Sequence, residues 1–200
     1  MQTKKIKVDS LGHGMEPALD AAENFARQMG LDERLSRRLR LLSEETLSMV
    51  RAIVADFEAD FWLESIQGGC RLHLEAETRM NYLKKKDLIS VSTSQKNAAS
   101  VGIMGKIRDI IEDSCYGFSS VGYTSAGMGD MTGAMPGAYL WTLEKYRDDV
   151  EAQADEDPAM EEALDELEHS IVANIADDIR VAVKGNRVEM VIDKSWEDSK

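Results

Sequence analysis

The sequence predicts an α+β fold: a two-layer α/β sandwich whose five-stranded sheet, mixed but mostly antiparallel, carries its helices on one face. Three patterns predict it. Residues 70–77 alternate cleanly, with Cys70, Leu72, Leu74 and Ala76 on one side and Arg71, His73, Glu75 and Glu77 on the other. Residues 179–192 repeat that alternation as a hairpin, Ile179, Val181 and Val183 answered across Gly185-Asn186 by Val188, Met190 and Ile192. Between them in logic, though not in order, stands a helical stripe. Leu35, Leu39, Leu42, Thr46, Met49 and Ile53 return in steps of four and three.

The remaining elements follow along the chain. Lys5 to Asp9 alternates polar and apolar and reads as an edge strand, broken by Gly12 and Gly14. Pro17 suits the start of a first helix over about 17–30, where Leu19, Ala22, Phe25 and Met29 recur and Gly30 closes. The striped helix spans about 33–55. Asp60 to Ile66 is a strand rich in aromatic and aliphatic residues, turned at Gly68-Gly69 into the strand at 70–77. A last helix over 159–177 places Met160, Leu164, Leu167, Ile171 and Ile175 on one face before the final hairpin.

The middle of the chain reads differently. Lys84-Lys85-Lys86 opens a polar stretch, a short helical piece follows Gly102, and six of the fourteen glycines fall between Gly117 and Gly137. Residues 84–148 therefore read as a flexible, lid-like insertion in a single domain spanning 1–200. Met128, Met131 and Met135 within it either offer an adaptable apolar surface or tuck the segment against the body.

Composition narrows the function. The formal charge of −13 opposes generic binding of phosphate backbones, so no nucleic-acid partner is expected. No apolar run reaches the roughly 18 residues of a spanning helix, and no signal-peptide core is present, so no membrane association is expected. Two cysteines, Cys70 and Cys115, cannot make a disulfide framework, and a reducing cytoplasm is the expected location. Asp148 to Glu168 holds eleven acids and no Lys or Arg. That segment is either a solvated linker leading into an acidic helix or a docking surface for a basic partner. His73 and Glu75 form a His-x-Glu pair, but the Cys-x-x-Cys of a zinc deaminase is missing and His13 and His169 lie far away in sequence. No Gly-x-Ser-x-Gly elbow occurs.

The order of elements, the long insertion after the third strand, and Leu41-Leu42-Ser43-Glu44-Glu45-Thr46-Leu47-Ser48 together resemble the histidine-kinase-like ATPase (GHKL) superfamily. Within it the chain is most similar to the bacterial anti-sigma-factor kinases. That family carries on its second helix a Glu followed one turn later by an Asn, both projecting from one face toward the nucleotide. The resemblance implies Glu44 as the catalytic residue orienting an attacking hydroxyl or water, and Ser48, in the Asn position, as the magnesium ligand. It further implies Glu77 as the adenine contact and Gly102, Gly105 and Lys106 as the phosphate grip at a helix start.

Three departures shape what the resemblance implies. Ser48 is shorter than the family's Asn, and Thr78-Arg79-Met80 replaces the glycines of the Asp-x-Gly-x-Gly turn. Gly102 to Lys106 is no Walker motif, since Ser100 and Ile107 stand where a Gly and a hydroxyl are required. A helix-capping role for those glycines stands beside the phosphate one. The expectation is a regulatory domain on a degenerate histidine-kinase-like scaffold, binding a protein partner (a regulator or sigma-like factor) and holding no cofactor. ATP turnover is expected to be lost. The alternative is an ATP- and magnesium-binding serine/threonine kinase or switch of the anti-sigma type. Whether the chain is an enzyme stays open and leans to no, and a homodimer fits either reading.

Overall fold

The computed structural model describes residues 1–53, 57–78, 139–155, 157–184 and 187–196. Strand β1 (Ile6–Asp9) leads through a turn into helices α1 (Met15–Gln28) and α2 (Glu33–Ile53), then the hairpin β2 (Phe57–Ile66) and β3 (Gly69–Thr78). After the segment 79–138 come β4 (Tyr139–Thr142), α3 (Leu143–Gln153), α4 (Pro158–His169), α5 (Ile171–Ile175) and the hairpin β5 (Asp178–Lys184) and β6 (Arg187–Ser195). The fold is α+β.

The sheet has six strands in the order β1-β2-β3-β6-β5-β4. The expectation of five strands in a mixed sheet is corrected on both counts, because every pairing is antiparallel. The sixth strand is β4. Tyr139-Leu140-Trp141-Thr142 lies at the end of the stretch read as a flexible insertion, and four residues are too few for alternation to register. What makes them a strand is the edge of β5, against which Trp141 pairs with Val181 and Tyr139 with Val183. Thr142 then caps α3, its Oγ1 accepting from the Lys145 backbone N–H at 3.3 Å. Residues 139–148 are thus strand and helix, while 84–138, including the expected helical piece after Gly102, lies outside the described residues.

Other boundaries move for local reasons. Helix α1 starts at Met15, with Pro17 inside its first turn, where a missing N–H costs nothing. The helix expected over 159–177 is two, because Ser170 caps α5 by accepting from the Ala173 N–H at 3.3 Å. The hairpin between β2 and β3 turns at Gln67 and Gly68, not at Gly68-Gly69, since Gly69 already pairs with Ile66.

One sheet face forms the core. Phe61, Leu63, Leu72, Leu74, Met190, Ile192, Ile179 and Val181 are buried there, joined by Phe25, Leu39, Leu42 and Leu47 from α1 and α2. Full burial of side chains this size stabilises by about 1.5–3 kcal/mol each. Ser43 and Thr46 are also buried on α2, and their hydroxyls donate to the Leu39 and Leu42 carbonyls at 2.8 and 2.6 Å. Arg40 fastens α2 to α1, donating to Glu23 at 2.9 Å and lying within 4 Å of Glu16 and Asp20. Among the described residues no helix is long and apolar enough to cross a membrane.

Candidate functional site

Glu44 and Ser48 stand one turn apart on α2, and both are exposed. They share an outward stripe with Arg37 and Leu41, on the flank opposite Leu39, Leu42, Thr46 and Met49. The spacing therefore does what the sequence reading required: both side chains project from one side of the helix. Neither touches the apolar core.

Glu77 lies elsewhere. Alternation along β3 puts Ala76 into the core, so Glu77 falls on the opposite side of the sheet, which carries no helix among the described residues, and there it pairs across from Arg187 and Glu58. A ligand reaching Glu44 and Ser48 through the helical layer does not meet the Glu77 carboxylate. Gly102, Gly105 and Lys106 lie outside the described residues. The described part of the implied nucleotide site is thus one exposed carboxylate and one exposed hydroxyl. Among the described residues there is no group of three or more His, Cys, Asp or Glu that could hold a metal ion.

Two charged surfaces remain, and they differ in kind. The sheet face opposite the core is largely compensated within itself. Lys7 pairs with Asp60 at 2.9 Å, Lys5 with Glu75 at 3.2 Å, and Arg187 also pairs with Glu75. Asp193 accepts from Arg71 at 2.6 Å and from Arg180 at 2.5 Å, which holds the Arg71 guanidinium above its usual value despite some burial. At its centre the His73 ring stacks on Trp62, centroids 4.6 Å apart and planes 3° from parallel. Lys5 Nζ sits 4.0 Å from the Trp62 ring.

The second surface is the α3–α4 hairpin. Leu143, Tyr146, Val150, Ala163 and Leu167 turn inward, and Tyr146 meets Trp141 at 5.7 Å between ring centroids. The outward positions are acidic. Glu151, Glu161, Glu162, Glu166 and Glu168 are exposed and have no cationic partner among the described residues. Among the described residues Asp165 pairs with His169 alone, at 3.6 Å, and hydrogen bonding to the Asp165 carbonyl holds that imidazole above its ordinary pKa. The nearby cation of Arg147 is turned away, donating to the Ala173 carbonyl at 2.5 Å.

Lys194 is a buried charge at the end of the core face of β6. Its Nζ donates to Asp177 at 2.9 Å, and Asp177 also accepts from the Ser195 backbone N–H. Burial pushes the Asp177 carboxyl up, but these bonds outweigh it and hold the group below its ordinary value. Cys70, directly across from Lys194, is fully buried, and burial pushes its thiol up to about 12. It is a protonated core side chain, not a nucleophile.

The stack of Trp62 on His73 escaped the sequence reading. A signal existed, because counting outward from the two-residue turn places Trp62 opposite His73 on the wet side of the hairpin. Comparison with protein-family models, with curated proteins and with solved structures finds no match to this chain. Fold and surfaces define an α+β structure with one sheet face whose charges are largely paired and one helical hairpin on which Glu151, Glu161, Glu162, Glu166 and Glu168 have no cationic partner among the described residues.

Proposed function

We propose that this chain is a regulatory protein-binding domain on a degenerate histidine-kinase-like scaffold, and that it does not turn over ATP. The observation that carries the reading is the contrast between the two charged surfaces. Carboxylates paired across a sheet are already satisfied and gain little from a partner. Carboxylates on the α3–α4 hairpin repel one another, and a Lys/Arg-rich protein segment relieves that repulsion while being steered toward it. The partner is therefore a basic segment of another protein. A regulator or sigma-like factor of that character fits the resemblance noted in the sequence.

The separation of Glu77 from Glu44 and Ser48 supports the loss of turnover. Phosphoryl transfer is catalysed by positioning and charge neutralisation, and both need the groups gathered around one ligand. The kinase reading keeps one favourable observation, the exposed Glu44 and Ser48 on a common stripe.

The test measures fluorescence anisotropy of a labelled oligo-lysine peptide on the full chain. A variant combining Glu161→Gln, Glu162→Gln, Asp165→Asn and Glu166→Gln is expected to bind about tenfold more weakly, a loss of roughly 1.4 kcal/mol. Neutralising Asp60 and Glu75, paired on the sheet face with Lys7, Lys5 and Arg187, is expected to change binding less than twofold. Equal binding by the hairpin variant overturns the docking surface. Magnesium-dependent ATP turnover that Glu44→Gln abolishes overturns the proposal and restores the kinase.

A further inference from the structure

On the sheet face opposite the core, His73 is the one histidine among the described residues of the strands, and its surroundings are closely defined. His73 is sandwiched on the strand face with its side chain 13% exposed. On β2, Trp62 covers one ring face, and the Glu64 carboxylate lies 3.3 Å from Nε2. The other ring nitrogen, Nδ1, is buried and has no hydrogen-bond partner among the described residues. Arg71 and Glu75 flank the ring on its own strand. From β6 it faces Val191, with Glu189 and Asp193 to either side, and Arg180 of β5 lies one strand further. From the β1 side Lys5 lies over Trp62.

A neutral ring suits this arrangement. It donates one N–H to Glu64 and leaves a lone pair at Nδ1. Protonation adds an N–H at Nδ1 that has no acceptor, in a position with little water and with the Arg71 cation nearby. A buried donor without an acceptor costs about 1–3 kcal/mol, more when charged. Glu64 and the face of Trp62 favour the cation, by the ion pair and by the ring quadrupole. Burial is the largest influence and holds the imidazole below its ordinary pKa, with Arg71 acting in the same direction and Glu64 and Glu189 against it. The cation gains an acceptor for Nδ1 only by swinging outward, toward water and the neighbouring carboxylates.

We propose that the Trp62–His73 stack is a proton-sensitive element of the sheet face: protonating His73 turns the imidazole out and uncovers Trp62. The rest of the fold stays in place, because Trp62 and His73 contribute nothing to the core face. Trp62 is 8% exposed in the stack, so its release adds a broad aromatic surface between Glu64 and Lys5. Aromatic side chains of this kind anchor protein contacts.

Two-dimensional amide NMR of the full chain tests this, because the indole N–H of each of the three tryptophans gives its own cross-peak. Trp62→Phe assigns the relevant one. Between pH 7.5 and 5 the Trp62 indole signal is expected to move along a one-proton curve with its midpoint below 6.5, the ordinary histidine value. His73→Phe keeps a stacked ring and removes the proton, and the movement is expected to vanish. His13→Gln and His169→Gln are expected to leave it unchanged. A Trp62 signal that stays still, or that moves identically in His73→Phe, overturns the proposal. So does loss of far-UV circular dichroism along the same curve, since the event is then unfolding and not a local release.

Discussion

Lys194 shows how much one residue depends on its neighbours. A lysine on the core face of β6 breaks the alternation that otherwise places Val188, Met190 and Ile192 inward. It is tolerated because Asp177 meets it at 2.9 Å. Removing one partner of such a pair strands the other. Asp177→Ala is therefore expected to lower unfolding stability by about 3 kcal/mol, whereas Lys194→Met with Asp177→Ala recovers most of it. Urea melts of the three proteins check the ordering, and a single variant no less stable than the double one contradicts it. The pH dependence has a definite sign. The folded Asp177 carboxyl titrates below its unfolded value of 3.8, so its contribution is complete above that pH and is lost as pH falls through the lower, folded value. Acid titration of wild type against Asp177→Ala isolates the difference. Glu44 and Ser48 were legible as a pair one turn apart, since helical spacing alone fixes that. That Glu77 lies across the sheet from them follows from strand parity, and it could have been counted from Ala76.

Elements are decided by closer balances. The turn from β1 into α1 relies on Gly14, which adopts φ +79° at the helix start. A Cβ there would lie 1.9 Å from the Lys7 carbonyl oxygen, inside any allowed contact. Gly69 at the head of β3 is closed in similarly, with the Lys194 carbonyl oxygen 2.3 Å from a built Cβ. Gly14→Ala and Gly69→Ala are each expected to cost about 2–4 kcal/mol, since backbone on both sides must shift. Thermal melts read this directly, and a Tm within about 2 °C of wild type for either variant would show that the chain relaxes freely. The sequence marked both glycines as turn formers, but crowding by a strand more than 120 positions away, as at Gly69, belongs to the assembled sheet. The split of the last helix at Ser170 was readable in principle, because Ser is a strong cap. Periodicity ran through it and hid it.

At the scale of the whole molecule, two electrostatic effects oppose each other. The net charge of −13 favours expansion, most of all along the α3–α4 hairpin. The cross-strand ion pairs of the sheet face favour the fold, yet exposed pairs contribute only about 0–1 kcal/mol each. Salt screens both over roughly 10 Å at 0.1 M. Self-repulsion among partnerless carboxylates is expected to dominate, so raising salt from 20 to 200 mM should raise Tm by about 2–4 °C, the equivalent of 1 kcal/mol for a chain this size. A Tm that falls with salt would mean that the sheet-face pairs outweigh the hairpin.

The sequence by itself determined the α+β class, both hairpins, the two long helices and which side of each faces the core. These are local properties, since period 2 and period 3.6 write burial directly into residue order. It also determined the acidic character of 148–168 and the pairing of Glu44 with Ser48 on one stripe. Tertiary structure alone decided that β4 exists, that every strand runs antiparallel, and that β6 lies between β3 and β5. It decided, too, which charges are answered. Carboxylates of the sheet face and of the hairpin look alike in sequence, but a β-sheet brings Asp193 to Arg71 across 122 positions, whereas the outward glutamates of α4 have as their neighbours the residues three and four positions away on their own helix, here mostly more acid.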